Sequence, residues 1–149
     1  MTYGLERIAA FLQSVESIFD IQWTPERTYG QVRLAEEEQF SAYSFDYADI
    51  GVTRQMFDLT EGEALRLIKN YPRKQPELKR RYPVLAAYDL CLKCSHLFNL
   101  LDARGAISTT ERAALIGRVR NIACKVAACY LDQTSSDTSG SENDSEESE

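Results

Sequence analysis

The stretch FNLLDARGAISTTER, residues 98–112, predicts the end of one helix, a turn and the start of the next helix. Gly105 stands where a helix C-terminus favours a left-handed residue, a conformation that glycine adopts without steric penalty. Ser108 and Glu111 have the spacing of a capping box, in which the serine caps an amide and the glutamate reaches back. The stretch therefore predicts two consecutive helices joined at Gly105.

Apolar periodicity extends both helices outward from this turn. The third helix of the chain is predicted from about Val84 to Leu101, and the fourth runs to about Asp132. The predicted apolar side of the fourth helix consists of Leu115, Val119, Ile122, Val126 and Tyr130. The bases of this helix spread around its axis, which indicates a solvated surface rather than a groove-reading helix; they are Arg112, Arg118, Arg120 and Lys125.

Two further helices are predicted upstream. The first covers Leu5 to Phe19, with an apolar stripe at Leu5, Ile8, Ala9, Leu12, Val15 and Phe19 that Phe11 and Ile18 widen. The second covers Val52 to Asn70, with buried positions at Met56, Leu59, Ala64, Leu65 and Ile68. Between them, Pro25 and Gly30 indicate a turn or short hairpin, and a mixed aromatic and acidic segment ends at Gly51.

The stretch TYGLER, residues 2–7, is typical of a ligand-contacting turn that leads into a helix. Glycine at position 4 permits close approach of a ligand, and Glu6 and Arg7 follow at the helix start. Glu6 lies opposite the centre of the apolar stripe and Arg7 near its edge, so both side chains are free to face a ligand. A glutamate in a first turn also stabilises the helix dipole, which is the structural alternative.

A basic, proline-rich loop spans residues 69–83. Three prolines forbid a continuous helix there, and Glu77 is the only acid among six bases. Such a loop could contact phosphates through counterion release. The bases predicted for this contact are Arg73, Lys74, Lys79, Arg80 and Arg81. A solvated surface loop and a loop folded back on an acidic tail are the alternatives.

The length of 149 residues suffices for one domain, and the apolar share of 44% is typical of a globular protein rather than of membrane spans. The net charge of −6 arises in residues 134–149, which hold six acids and no base, whereas residues 1–133 carry 17 acids and 17 bases. This Ser- and acid-rich segment has no apolar residue to bury, so we expect a disordered, solubilising tail. No membrane partner and a cytoplasmic location, with an organelle as the alternative, are expected.

Four cysteines are expected to be free thiols. Cys91 and Cys94, with His96, Cys124 and Cys129, invite a zinc site, but the first two lie within a helical pattern without a tight turn. Buried cysteine behaves as a small hydrophobe. We therefore expect no metal site formed by these residues.

Three collinear blocks resemble one family, the α subunit of bacterial-type, heterotetrameric glycyl-tRNA synthetase. They are TYGLERIAAFLQSVESIFDIQW (2–23), TYGQVRLAEEEQFSAYSFDYAD (28–49) and HLFNLLDARGAISTTER (96–112). The resemblance implies that residues 1–20 are the strand end and helix of motif 3 of a class II synthetase. Residues 21–133 would form a mainly α, C-terminal helical domain that follows the antiparallel catalytic sheet.

The resemblance also implies a chemistry for TYGLER. Arg7 and Gly4 would bind ATP, and Thr2 and Glu6 would bind glycine, with Mg²⁺ assisting attack of the glycine carboxylate on the α-phosphate. Glycyl-adenylate would then be transferred to the terminal ribose of glycine tRNA. The implied partners are a β subunit and a second α subunit, within an α2β2 assembly.

The sequence departs from the family pattern at its beginning, because the catalytic sheet and the motif 2 arginine expected before motif 3 are not in it. We therefore expect that Met1 is a cut, that this is the C-terminal portion of an α subunit, and that the chain alone is inactive. The alternative is a non-catalytic paralogue that binds tRNA or a protein partner through its helical domain.

Overall fold

The computed structural model describes residues 4–138, with side chains to residue 135, and it is mainly α-helical, as predicted. The chain divides between Ala48 and Asp49 into two compact units, which we call unit 1 and unit 2. The boundary predicted after residue 20 does not coincide with this division. Thr2 and residues 139–149 lie outside the described residues.

Unit 1 consists of short elements around a small hairpin. In chain order they are helix α1 (Leu5–Gln13), a 3₁₀ turn (Ile18–Asp20), strands β1 (Gln22–Thr24) and β2 (Arg27–Thr28), helix α2 (Tyr29–Ala42) and a π-helical turn (Tyr43–Tyr47). The strands pair antiparallel, with Gln22 opposite Thr28 and Thr24 opposite Arg27. The predicted hairpin is therefore confirmed.

Helix α1 is shorter than the predicted Leu5–Phe19 helix. Ser14 adopts a left-handed conformation (φ 55°), and its N–H donates to the carbonyl of Phe11 at 3.2 Å. The N–H of Val15 donates to the carbonyl of Ala10 at 3.0 Å, which completes a Schellman-type C-cap. Because serine rarely adopts this conformation, the end of the helix at Ser14 could not be predicted from the residue type.

Helix α2 was not predicted, and Gly30 belongs to its first turn rather than to the turn before it. Thr28 and Gln31 form a capping box at its start. A Cβ at Gly30 would lie 2.9 Å from the carbonyl oxygen of Phe19, so the close approach of two backbones requires glycine. No residue of α2 is buried, which explains why it lacks the apolar stripe that predicts a helix.

Unit 2 is a helical bundle built from α3 (Ile50–Lys69), the short α4 (Pro76–Lys79), α5 (Val84–Ala103) and α6 (Thr109–Thr138). Helix α5 contacts both α3 and α6. The largest fully buried side chains of this core are Phe57, Leu101, Ile122 and Cys94.

The buried face of α3 is rotated from the predicted one. Ala64 and Ile68 are buried as predicted, and Leu65 is half-buried, but Met56 and Leu59 are exposed. Thr53 and Phe57 are buried in their place. Helix α3 also begins before the predicted Val52: Asp49 caps the amide of Val52, so Gly51 lies in the first turn and does not end the preceding segment.

The connection from α5 to α6 confirms the predicted turn. Gly105 has φ 61°, Glu111 accepts from the Ser108 N–H at 2.9 Å, and the Glu111 N–H donates to Ser108 Oγ at 3.3 Å. Leu115, Ile122 and Val126 of α6 are buried, whereas Tyr130 is half exposed and Cys129 is buried instead. Helix α6 continues past the predicted end near Asp132 to Thr138, so the first residues of the predicted tail are helical.

Among the helices of residues 4–138, α5 alone is long and apolar enough to cross a membrane, with a mean hydropathy of 1.2. Seven of its residues are buried in the bundle, and these are Val84, Ala87, Cys91, Cys94, Leu97, Leu100 and Leu101. A helix with a face buried against two neighbours is typical of a protein core.

Candidate functional site

The first candidate site is the turn at the start of α1. Gly4 is the N-cap residue and has an extended conformation (φ −69°, ψ 132°), which any residue can adopt. A Cβ at Gly4 would meet only Glu6 Oε2, at an ordinary contact distance of 3.5 Å. Neither the backbone nor the packing of the described residues therefore requires glycine at this position.

Glu6 and Arg7 both project from the first turn of α1 into solvent. Neither side chain forms an ion pair or a side-chain hydrogen bond within residues 4–138. Their opposite charges thus stay available for a ligand that carries both a cationic and an anionic group. Thr2, predicted to join them, lies outside the described residues.

The apolar stripe of α1 is exposed rather than buried. Leu5, Phe11 and Leu12 are 79%, 83% and 74% exposed, and Ala10 is the buried residue of the helix. Burial of a leucine or phenylalanine side chain contributes roughly 1.5–3 kcal/mol. The uncovered stripe beside Glu6 and Arg7 is therefore a surface suited to contact with another protein segment.

The second candidate site is the basic loop 69–83. Contacts with the neighbouring helices of unit 2 hold this loop in place. Helix α4 begins with Pro76, where the missing N–H of proline is tolerated. Lys79 is buried, and its Nζ lies 2.7 Å from Asp132 Oδ2 on α6. The prediction that Lys79 contacts phosphate does not fit this geometry, because its charge is enclosed and paired within the chain.

Two side chains fasten the rest of this loop to the bundle. Gln133 donates to the carbonyl oxygens of Lys79 and Tyr82, the latter at 3.0 Å. The Tyr82 hydroxyl donates to the carbonyl of Leu67 at 2.7 Å, and its ring meets Tyr71 edge-on at a centroid distance of 5.5 Å. Asp132 and Gln133 hold the loop in position, and the sequence did not reveal them because their partners lie far away along the chain.

The other four predicted phosphate contacts, Arg73, Lys74, Arg80 and Arg81, are exposed. Arg73 lies over the ring of Tyr71, 5.8 Å from its centroid, and so has a defined position. Burial, and then the neighbouring Asp132 carboxylate, raises the pKa of Tyr71 to about 12, so this tyrosine remains a neutral support.

Three of the four cysteines belong to the helical core of unit 2. Cys91, Cys94 and Cys129 are buried, whereas Cys124 is exposed. Burial raises the pKa of Cys94 to about 11, which keeps the thiol protonated. Within residues 4–138, no group of three or more His, Cys, Asp or Glu side chains is placed to hold a metal ion.

A family model described as glycyl-tRNA synthetase alpha subunit matches residues 1–135. This chain belongs to the glycyl-tRNA synthetase alpha subunit family. The match covers most of the chain and includes the turn at Gly4, the hairpin of unit 1 and the basic loop of unit 2. The glycyl-tRNA synthetase alpha subunit resemblance seen in the three sequence blocks is thereby confirmed, and with it a glycine–tRNA ligase family.

Family membership gives the two candidate sites a common context. A glycine–tRNA ligase handles an amino acid, a nucleotide and a tRNA, which together present one ammonium group and many phosphates. In this alpha-subunit chain, the turn offers an exposed carboxylate and guanidinium, and the basic loop offers exposed cations. The turn belongs to unit 1 and the loop to unit 2.

Proposed function

We propose that this chain contributes one wall of a glycine-activating site that consumes ATP and supplies glycyl-adenylate for glycine tRNA. Arg7 contacts the nucleotide, and Gly4 allows the nucleotide to approach the backbone closely. Glu6 pairs with the ammonium group of glycine, and Thr2 also contacts glycine. The observation that carries the proposal is that Glu6 and Arg7 are neighbours in the chain and are both exposed. Neither side chain forms an ion pair within residues 4–138.

The chemistry of the two side chains suits these roles. A guanidinium is always charged and presents a planar fork of donors, which matches phosphate oxygens and stacks on an adenine ring. A carboxylate accepts charge-assisted hydrogen bonds from an ammonium, each contributing about 1.5–3 kcal/mol. Glu6 and Arg7 are adjacent in one helical turn, so together they can bind two substrates that react with each other.

The proposed reaction is acyl-adenylate formation followed by acyl transfer. A carboxylate oxygen of glycine attacks the α-phosphorus of ATP. The bond between the α-phosphorus and the oxygen that bridges it to the β-phosphorus breaks, and pyrophosphate leaves. A hydroxyl of the terminal tRNA ribose then attacks the glycyl carbonyl carbon, and AMP leaves. Arg7 stabilises negative charge on the phosphates during the first step, and Glu6 holds glycine in position.

Mg²⁺ is the metal ion expected for such a site, and the described residues do not form a cage for it. Glu6 is a single carboxylate, and no cluster of three or more potential ligands occurs in residues 4–138. Mg²⁺ is commonly bound through substrate phosphates and only one or two carboxylates. The ion would therefore arrive with ATP, and no role of this chain depends on its coordination.

The site is completed by residues outside this chain. The uncovered Leu5, Phe11 and Leu12 of α1 require a covering surface, and one arginine with one glutamate does not surround two substrates. We propose that the rest of an alpha-subunit catalytic domain and a β subunit supply them, in an α2β2 assembly. Chain 1–149 alone is accordingly expected to show no glycine-dependent pyrophosphate exchange.

The test uses the complex that this chain forms in its source, isolated through an affinity tag. Glycine-dependent ATP–pyrophosphate exchange is measured for the wild type, Arg7→Gln and Glu6→Gln. Removing a transition-state donor costs about 10²–10³ in rate, and we expect a loss of this size for Arg7→Gln. Glu6→Gln is expected mainly to raise the KM for glycine, because it removes an ammonium contact.

Two exposed residues of unit 1 provide matched controls. Arg27→Gln and Glu16→Gln remove the same charges away from the turn, and both should leave exchange within about twofold. If the complex exchanges normally with Arg7→Gln, the proposed nucleotide contact is wrong. If the wild-type complex shows no exchange but retains bound tRNA or protein, the chain is a non-catalytic binding module.

A further inference from the structure

The cations of this chain that form no ion pair within residues 4–138 are densest in the basic loop. Within the described residues, ion pairs involve Arg33, Arg54, Arg66, Lys79, Lys93, Arg112 and Arg118. The segment 73–81 instead keeps four exposed cations that form no ion pair within residues 4–138. Its own acid is Glu77, so the exposed surface of this segment has a strong positive charge.

The same segment is held in a fixed shape. The ion pair of buried Lys79 with half-exposed Asp132 and the Gln133 hydrogen bonds join α4 to α6, and the Tyr82 hydroxyl joins the end of the loop to α3. The one lysine that is buried thus serves as the anchor, and its neighbours Arg80 and Arg81 remain outside. A fixed arrangement of cations loses less conformational entropy on binding than a mobile loop.

We propose that Arg73, Lys74, Arg80 and Arg81 form a platform that binds the sugar–phosphate backbone of RNA. The inference rests on the proposed function, because the polyanion that a tRNA ligase subunit meets is tRNA. Three of the four residues are arginines, whose planar donors bind phosphate oxygens in pairs. The platform is a site separate from the Gly4–Arg7 turn and involves no chemistry on the bound RNA.

The contact is to the backbone and not to the bases. Base recognition in single-stranded RNA commonly uses exposed aromatic rings for stacking, but the loop tyrosines pack within the chain: Tyr71 is buried and Tyr82 is half-buried against it. Leu78 is the large apolar side chain of α4 that is exposed. The platform therefore adds affinity and strong salt dependence without sequence preference.

The test measures binding of the full chain, residues 1–149, to a fluorescent glycine tRNA transcript and to an unrelated duplex RNA of similar length. The variant Arg73→Gln/Lys74→Gln/Arg80→Gln/Arg81→Gln removes the exposed charges and leaves the anchor intact. We expect its affinity to fall at least tenfold for both RNAs. The slope of log affinity against log salt should become shallower by about 3, since each phosphate contact contributes about 0.7–0.9.

The matched control is Arg120→Gln/Lys125→Gln, compared with Arg80→Gln/Arg81→Gln. Both double variants remove two exposed charges of unit 2 that form no ion pair in residues 4–138. The loop double variant should lose affinity, whereas the α6 double variant should stay within about twofold. Equal losses in the two would show a general effect of net charge and would overturn the platform.

Two further measurements separate this inference from its alternatives. If RNA binds only after residues 139–149 are removed, the acidic tail rather than RNA occupies the loop, and the inference is wrong. Aminoacylation by the isolated native complex tests the proposed function independently. A loop variant that binds RNA normally refutes the platform even when aminoacylation is intact, and absent aminoacylation refutes the function even when the loop binds RNA.

Discussion

Arg118 of α6 and Glu61 of α3 form a bidentate ion pair that joins two helices of the bundle. Arg118 Nε lies 3.1 Å and 3.0 Å from the two carboxylate oxygens of Glu61, and Nη2 also contacts this carboxylate. Nη2 reaches Asp58 Oδ1 at 2.6 Å, and the guanidinium covers the ring of Phe57 at 4.7 Å. The hydrogen bond to Glu61 is the main cause that raises the pKa of Arg118, so its charge is permanent.

Replacing Arg118 by alanine is expected to lower the free energy of unfolding of unit 2 by about 2 kcal/mol. The Glu61 side chain is only 14% exposed and would lose its partner, although Arg118 itself is 39% exposed. The cost of breaking this pair should therefore lie between that for exposed pairs, about 0–1 kcal/mol, and that for buried pairs, about 3–5 kcal/mol. Urea unfolding followed by circular dichroism measures the change. Arg66→Ala, which breaks a mostly exposed pair with Glu63, should cost less than about 0.5 kcal/mol.

Replacing Gly30 by alanine is expected to destabilise unit 1 by about 1–3 kcal/mol, because the new Cβ would meet the backbone carbonyl of Phe19. Trp23 reports this change, since it is the single tryptophan and its ring lies 5.5 Å from that of Tyr29. Tryptophan fluorescence during urea unfolding should therefore shift its midpoint downward. Gly62→Ala, with nothing within 4 Å of the new Cβ, should instead stabilise α3 by about 0.5–1 kcal/mol. A neutral Gly30→Ala would show that α2 and the 3₁₀ turn are not tightly packed.

The Lys79–Asp132 pair predicts a dependence of stability on acid pH. The hydrogen bond to Lys79 is the main cause that lowers the pKa of Asp132 below the ordinary value of 3.8. The folded state thus binds this proton less readily than the unfolded state, and the stabilisation is present above pH 3.8 and is lost as the pH falls below it. Urea midpoints measured between pH 7 and pH 3 should fall less steeply for Asp132→Asn than for the wild type. In a Lys79→Met background, Asp132→Asn should alter that slope much less, and an unchanged slope difference would contradict the pairing.

Thiol reactivity is expected to distinguish one cysteine from the other three. Cys124 is exposed and should react rapidly with a chromogenic disulfide reagent at pH 8, whereas Cys91, Cys94 and Cys129 are buried. Burial raises the pKa values of these three thiols, which further slows them. Absorbance should record one fast thiol in the native chain and four in denaturant. The Cys124→Ser variant should lose the fast phase, and a second fast thiol would contradict the packing of α5 against α6.

Features that depend on neighbouring residues were predicted well from the sequence. The Gly105 turn, the Ser108–Glu111 capping box and the length of α5 each follow from backbone conformation or hydrogen bonds within a few residues. The family was also recognisable, since its motifs are contiguous runs of residues. The exposure of Glu6 and Arg7 followed from helical periodicity alone.

Features that depend on distant partners were not predicted. Periodicity placed Met56 and Leu59 in the core, but the faces of α3 are both partly apolar, and packing against α5 selected Phe57. Charge counting treated Lys79 like its basic neighbours, although Lys79 is buried, pairs with Asp132 and accepts a backbone hydrogen bond from Gln133 of α6. Helix α2 escaped prediction because a helix with no buried residue has no apolar stripe to detect.

The sequence by itself determined the family, the mainly α class and the position of the turn that begins α1. These properties depend on residues that are close together in the sequence, where steric limits on the backbone and short-range hydrogen bonds act. Only the tertiary structure decided which bases of the loop remain exposed and which face of α3 is buried. Those outcomes require helices far apart in the sequence to meet, because burial and ion pairing are fixed by the neighbours that folding brings into contact.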